Sequence, residues 1–134
     1  MSIAELGLSV KRLQVRNHRA ATEALRPLDV TLVQWDALRH LHANPGASLH
    51  DLAVLTFQTD QAFGTLAARL EARGLIRRVS GAGRAIRPEL TPEGERVFAA
   101  GRELTERVVR ESFAPLDEDE RAVLGGMLER LLAG

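Results

Sequence analysis

Apolar residues recur at three- and four-residue steps through most of this chain, a spacing that predicts six helices and one short strand pair. Leu6, Val10, Leu13, Ala20, Ala21 and Ala24 mark one face of a long first helix from Ile3 to Leu25, and Asn17 continues the same stripe. Arg26-Pro27-Leu28-Asp29 ends it, because a proline pushes the residue before it out of helical geometry. Thr31 is placed to cap a second helix, Leu32 to Ala43, with Leu38 and Leu41 inward, and Asn44-Pro45-Gly46 stops it. Ser48 and Asp51 form a helix-start signal for a third helix that buries Leu49, Leu52 and Ala53. Thr56-Phe57-Gln58 is a break, and Thr59 with Asp60 opens a fourth helix whose inner face is Ala62, Phe63, Leu66, Ala67 and Leu70. Gly74 is expected to end that helix in a left-handed conformation.

The pattern then changes. Ile76 to Ser80 and Ala85 to Leu90 read as strands around the glycine-rich turn Gly81-Ala82-Gly83-Arg84. Pro88 has no N–H for a ladder, which assigns its strand to an edge. Thr91-Pro92-Glu93 restarts a helix that runs to about Phe113, and Asp117 with Glu120 starts a last one. That last helix carries the stripe Val123, Leu124, Met127, Leu128, Leu131 and Leu132. Short helix, break, longer helix and strand pair in this order is the layout of a winged helix-turn-helix, in which the second helix enters a DNA major groove. The expected fold is mainly α, with one small β-hairpin wing and long N- and C-terminal helices left over. Their leucine stripes need a partner surface: a second copy related by a two-fold axis is the favoured one, and a compact monomer is the alternative.

At 134 residues the chain is one domain's worth, and it contains no cysteine, so disulfides and thiolate metal sites are excluded. No apolar run reaches the ~18–20 residues a bilayer span requires, and no signal-peptide pattern opens the chain, so a cytoplasmic protein without membrane contact is expected. Net charge is zero, yet all six arginines of the segment 48–88 fall between Arg69 and Arg87, opposed there only by Glu71. A local basic patch can neutralise phosphates on a neutral protein, because the field is screened beyond ~8–10 Å. It could equally be a solvated basic face, and charge alone does not choose. The acidic excess lies from Glu89 to Gly134, away from the predicted DNA face.

Leu52-Ala53, Leu66, the run RLEARGLIRR from Arg69 to Arg78, and Leu90-Thr91-Pro92-Glu93-Gly94 together resemble the MarR family of bacterial regulators. Gln34-Trp35-Asp36-Ala37-Leu38 is similar to the family's second helix, and the resemblance covers nearly the whole chain. It implies a single MarR-like domain over 1–134, with a winged-helix lobe over 28–92 and dimerisation helices over 1–27 and 93–134. It further implies a homodimeric regulator of palindromic promoter DNA, usually a repressor, relieved by a small effector held between the dimer region and the DNA-binding lobes. Carried over residue by residue, the helix from Thr59 to Arg73 becomes the recognition helix. Thr59, Asp60, Gln61, Gly64 and Thr65 face bases and phosphates. Gln61 suits adenine, and Thr65 offers a hydroxyl or a methyl. Arg69 and Arg73 lie further along and meet phosphate or a carboxylate, Arg77 and Arg87 of the basic strand pair are counted among the DNA contacts, and Arg84 matches the wing arginine of the minor groove. The family's wing usually carries Asp-x-Arg where this chain has Ala82-Gly83-Arg84.

Other chemistry is poorly represented. His40 and His42 are two apart on one helix and point in different directions, while His18 and His50 are isolated, so no metal site is predicted. Nucleophile, phosphate-loop and zinc-protease motifs are missing, which argues against an enzyme, and no cofactor is expected. Trp35 reads either as a packing anchor or as the wall of an effector pocket with His18 and Arg39. Asp60 and the zero net charge also motivate a different class, a ligand- or protein-binding module that keeps the fold without strong DNA affinity.

Overall fold

The computed structural model describes residues 1–80 and 86–134. Its elements are α1 (Ile3–Ala24), a 3-10 turn (Arg26–Leu28), α2 (Leu32–Ala43), α3 (Leu49–Leu55), α4 (Asp60–Ala72), β1 (Ile76–Ser80), β2 (Ile86–Leu90), α5 (Pro92–Phe113) and α6 (Glu118–Leu132). Polar side chains set the helix starts. Ser2 with Glu5, Thr31 with Gln34, Ser48 with Asp51 and Asp117 with Glu120 each form a reciprocal capping box, satisfying two otherwise orphaned N–H groups apiece. Thr59 and Thr91 cap α4 and α5 by accepting from Ala62 and Gly94.

The ends of α3 and α4 share one geometry. Gly74 has φ +74°, and Leu75 N–H donates to the Leu70 carbonyl at 3.0 Å while Gly74 N–H donates to Glu71 at 2.9 Å. That pair of bonds is a Schellman stop, which favours glycine at its left-handed position. At the end of α3 the same two bonds run from Gln58 to Ala53 at 2.8 Å and from Phe57 to Val54 at 3.2 Å, but the left-handed residue, at φ 57°, is Phe57.

The core lies where α2, α3, α4, β1 and the first half of α5 converge, around Leu38, Leu52, Phe63, Leu70, Ile76 and Phe98. Ala62, expected on the inner face of α4, is exposed instead: the buried positions Phe63, Leu66, Ala67 and Leu70 define a narrower stripe that leaves it to one side. β1 and β2 pair antiparallel, with Ile76 opposite Leu90 and Arg78 opposite Pro88. Pro88 is fully buried, so its ring fills core space in a two-stranded ribbon where both strands are edges. Thr91 closes the ribbon's base: its N–H donates to Leu75 at 3.1 Å and its hydroxyl to the Gly74 carbonyl at 2.6 Å.

α1 packs along α5, and the polar member of its stripe, Asn17, accepts a hydrogen bond from the Ser112 hydroxyl at 2.7 Å. No residue of α6 is buried, and Met127, Leu131 and Leu132 are 52%, 75% and 83% exposed. Among the described residues no helix is long and apolar enough to cross a membrane.

Candidate nucleic-acid interface and effector cleft

α3, its Schellman stop and α4 make the helix-turn-helix, and β1 and β2 supply the strands of the wing. The first two turns of α4 expose Gln61 and Thr65. The Thr65 hydroxyl donates back to the Gln61 carbonyl at 3.2 Å, and Thr59 uses its hydroxyl oxygen as the cap. Around Gly64 an added Cβ would meet nothing within 4 Å, so this helical glycine serves no internal packing need.

Asp60 does not stand alone at the start of α4. His50, near the start of α3, places Nδ1 2.8 Å from Asp60 Oδ1. That hydrogen bond and the carboxylate's charge raise the His50 pKa. The neighbouring Asp51 is pushed down, chiefly by its bonds to the Ser48 backbone and hydroxyl, with smaller contributions from His50 and Arg87. His50 was not among the residues that spacing singled out; it and Asp60 are ten positions apart on different helices, and no periodicity joins them.

The arginine cluster is less free than its sequence suggests. Arg77 forks onto Glu89 across the ribbon, with Nε at 2.8 Å from Oε1. Arg78 meets Glu71 at 3.5 Å. Arg73 turns back to the loop after the 3-10 turn, donating to the Asp29 carbonyl and, at 3.5 Å, to that of Leu28. Arg69 and Arg87 are exposed. Arg87 Nη1 lies 3.7 Å from where a Cβ on Gly46 would stand, so its guanidinium covers the loop before α3. Arg84, with Ala82 and Gly83, lies outside the described residues.

His18 on α1 and Trp35 and Arg39, one turn apart on α2, line one open cleft of about 820 Å³ between α1, α2 and α5. Val109 and Phe113 make its apolar wall, and Arg110 and Arg121 bring further positive charge. Trp35 is both anchor and wall. Its ring is buried, stacks on Phe98 with centroids 6.1 Å apart, and donates from Nε1 to the Phe98 carbonyl at 3.1 Å. Arg39 is steadied by Asp36, with Nε to Oδ1 at 2.9 Å. The other histidines have local roles: His40 sits 3.5 Å from Asp36, and His42 bonds Glu95 at 2.9 Å while stacking on Phe98.

A helix-turn-helix with a two-stranded wing, flanked by long terminal helices that enclose a cleft, is the architecture of a winged-helix transcriptional regulator, and this chain belongs to the MarR family. The family model, described as "MarR family", matches residues 28–85. The chain is 31% identical over 127 residues to the HTH-type transcriptional repressor Rv2887 of Mycobacterium tuberculosis, covering 90% of this chain and 91% of that one. Two solved structures of Rv2887 are similar in fold. The complex with salicylic acid has a TM-score of 0.78 at 28% identity, covering 94% of this chain and 95% of the other. The complex with DNA has a TM-score of 0.80 at 26% identity, covering 94% and 96%. The family is one of regulators, not of enzymes.

Proposed function

We propose that this protein is a homodimeric, ligand-responsive repressor that binds a palindromic promoter site through α4 and the wing. The lobe over 28–92 does the reading, and the segments 1–27 and 93–134 join the two copies. Gln61 and Thr65 read bases from the major groove, Arg84 enters the minor groove, and Thr59, Gly64, Arg69 and Arg87 meet the phosphate backbone. Arg73 and Arg77 support the lobe through Asp29 and Glu89 rather than touching DNA. The observation that supports this most is the capped helix-turn-helix whose second helix packs its apolar face and keeps its polar face exposed. The DNA complex of a relative with the same fold supports it further.

The effector is a small aromatic acid. The cleft pairs the indole wall of Trp35 with Arg39 and His18, and the salicylic acid complex of the same relative supports that chemistry. An electrophoretic mobility shift with the duplex upstream of the protein's own coding sequence, with and without salicylic acid, tests both parts. A retarded band released by the acid is expected. Absence of any retarded band at low salt overturns the DNA reading, and a band indifferent to the acid overturns the effector reading. The internal pairing of Arg73, Arg77 and Arg78 favours the second reading, a module with weak DNA affinity, and the same assay decides it.

A further inference from the structure

The carboxylate of Asp60 suits the positive end of the α4 dipole but is poorly suited to a surface that approaches phosphates. His50 answers that conflict. Its imidazole lies on the other helix of the motif, held at 2.8 Å from Asp60 with both side chains about 70% exposed. The backbone that carries it is fixed by the Ser48–Asp51 capping box. The other charge acting on it is Asp51 on its own helix, and Arg87 from β2 acts in turn on Asp51.

We propose that His50, as the imidazolium, is a positioning residue of the DNA-binding surface: it neutralises Asp60 at the leading end of α4 and makes DNA affinity fall as pH rises. This rests on the reading of α4 as the DNA-contacting helix. With the proton, the pair is neutral; without it, the pair carries one negative charge into a field of phosphates. Bound DNA favours the imidazolium beyond what Asp60 already does, so binding takes up a proton. The sign follows from this. Affinity is complete below the pKa of His50 in the free protein, which Asp60 raises above the ordinary imidazole value. It is lost as pH climbs through the still higher value of the DNA-bound state.

Fluorescence anisotropy with the same upstream duplex, at constant ionic strength between about pH 5.5 and pH 8.5, tests this on the wild type, His50→Gln and Asp60→Asn. The wild type should lose roughly three- to tenfold in affinity per half-site across that range, the effect of one uncompensated charge per copy near the backbone. His50→Gln should be flat at the wild type's high-pH level, and Asp60→Asn should bind more tightly than wild type at the alkaline end. A flat wild-type profile, or a His50→Gln protein that keeps the slope, overturns the inference and leaves the DNA reading intact. Failure of every protein to bind at any pH removes both together.

Discussion

The indole of Trp35 occupies the space where a side chain on Gly101 would begin: a Cβ there would stand 2.3 Å from Nε1 and 2.4 Å from Cδ1. Gly101 is mid-helix, where glycine costs about 1 kcal/mol relative to alanine, so the sequence accepts a weaker α5 in exchange for a close α2–α5 contact. Because the ring is buried and bonded to Phe98, it cannot swing aside. Gly101→Ala should therefore destabilise the protein by about 1–3 kcal/mol despite the gain in helix propensity, a loss read by urea denaturation. Unchanged or raised stability would mean that the ring has room to move.

Phe57 occupies the left-handed position of the α3 stop at φ 57° with its ring 97% exposed. A bulky residue there bears roughly 1 kcal/mol of strain and receives nothing from burial. Phe57→Asn, which tolerates that conformation, should raise the thermal midpoint by a few degrees. A lowered midpoint would show that the ring contributes contacts to the fold.

The local rules were legible in the sequence because they act over short spans. Cap residues such as Ser48 and Thr91, the glycine stop at Gly74 and the inner positions Leu52, Phe63 and Leu70 each depend on neighbours within a turn or two. The partners of charged groups were not legible. Glu89 belongs to the acidic C-terminal block by counting, yet it binds Arg77 across the ribbon; Asp29 reads as a helix terminator, yet its carbonyl holds Arg73. Such pairs depend on which surfaces the core brings together, and no period records them. The same holds for Asn17, a polar residue on an apolar stripe whose partner Ser112 lies 95 positions away.

No apolar side chain of α6 is buried by the described residues, and Val123, Met127, Leu131 and Leu132 are more than half exposed. On the dimer reading they meet a second copy, so Leu131→Asp should convert a dimer to a monomer in light scattering and weaken DNA binding at least tenfold, since one half-site contact is lost. A wild-type protein that is already monomeric at micromolar concentration contradicts this.

Trp35 is the only tryptophan, so intrinsic fluorescence reports directly on the cleft. Titration with salicylic acid should quench it saturably, and Arg39→Ala should weaken the apparent affinity by roughly tenfold through loss of a charge-assisted bond to the carboxylate. Equal affinity in the variant would place the acid elsewhere.

On the proposed function, the exposed face of α4 reads a DNA sequence. The most direct test compares affinity for the upstream duplex with affinity for a scrambled duplex of the same composition, in the wild type and in Gln61→Ala. The wild type should prefer the upstream duplex, and that preference should fall by about tenfold in Gln61→Ala while binding to the scrambled duplex barely changes. A preference that survives the substitution intact, or a wild type with no preference between the two duplexes, would contradict it.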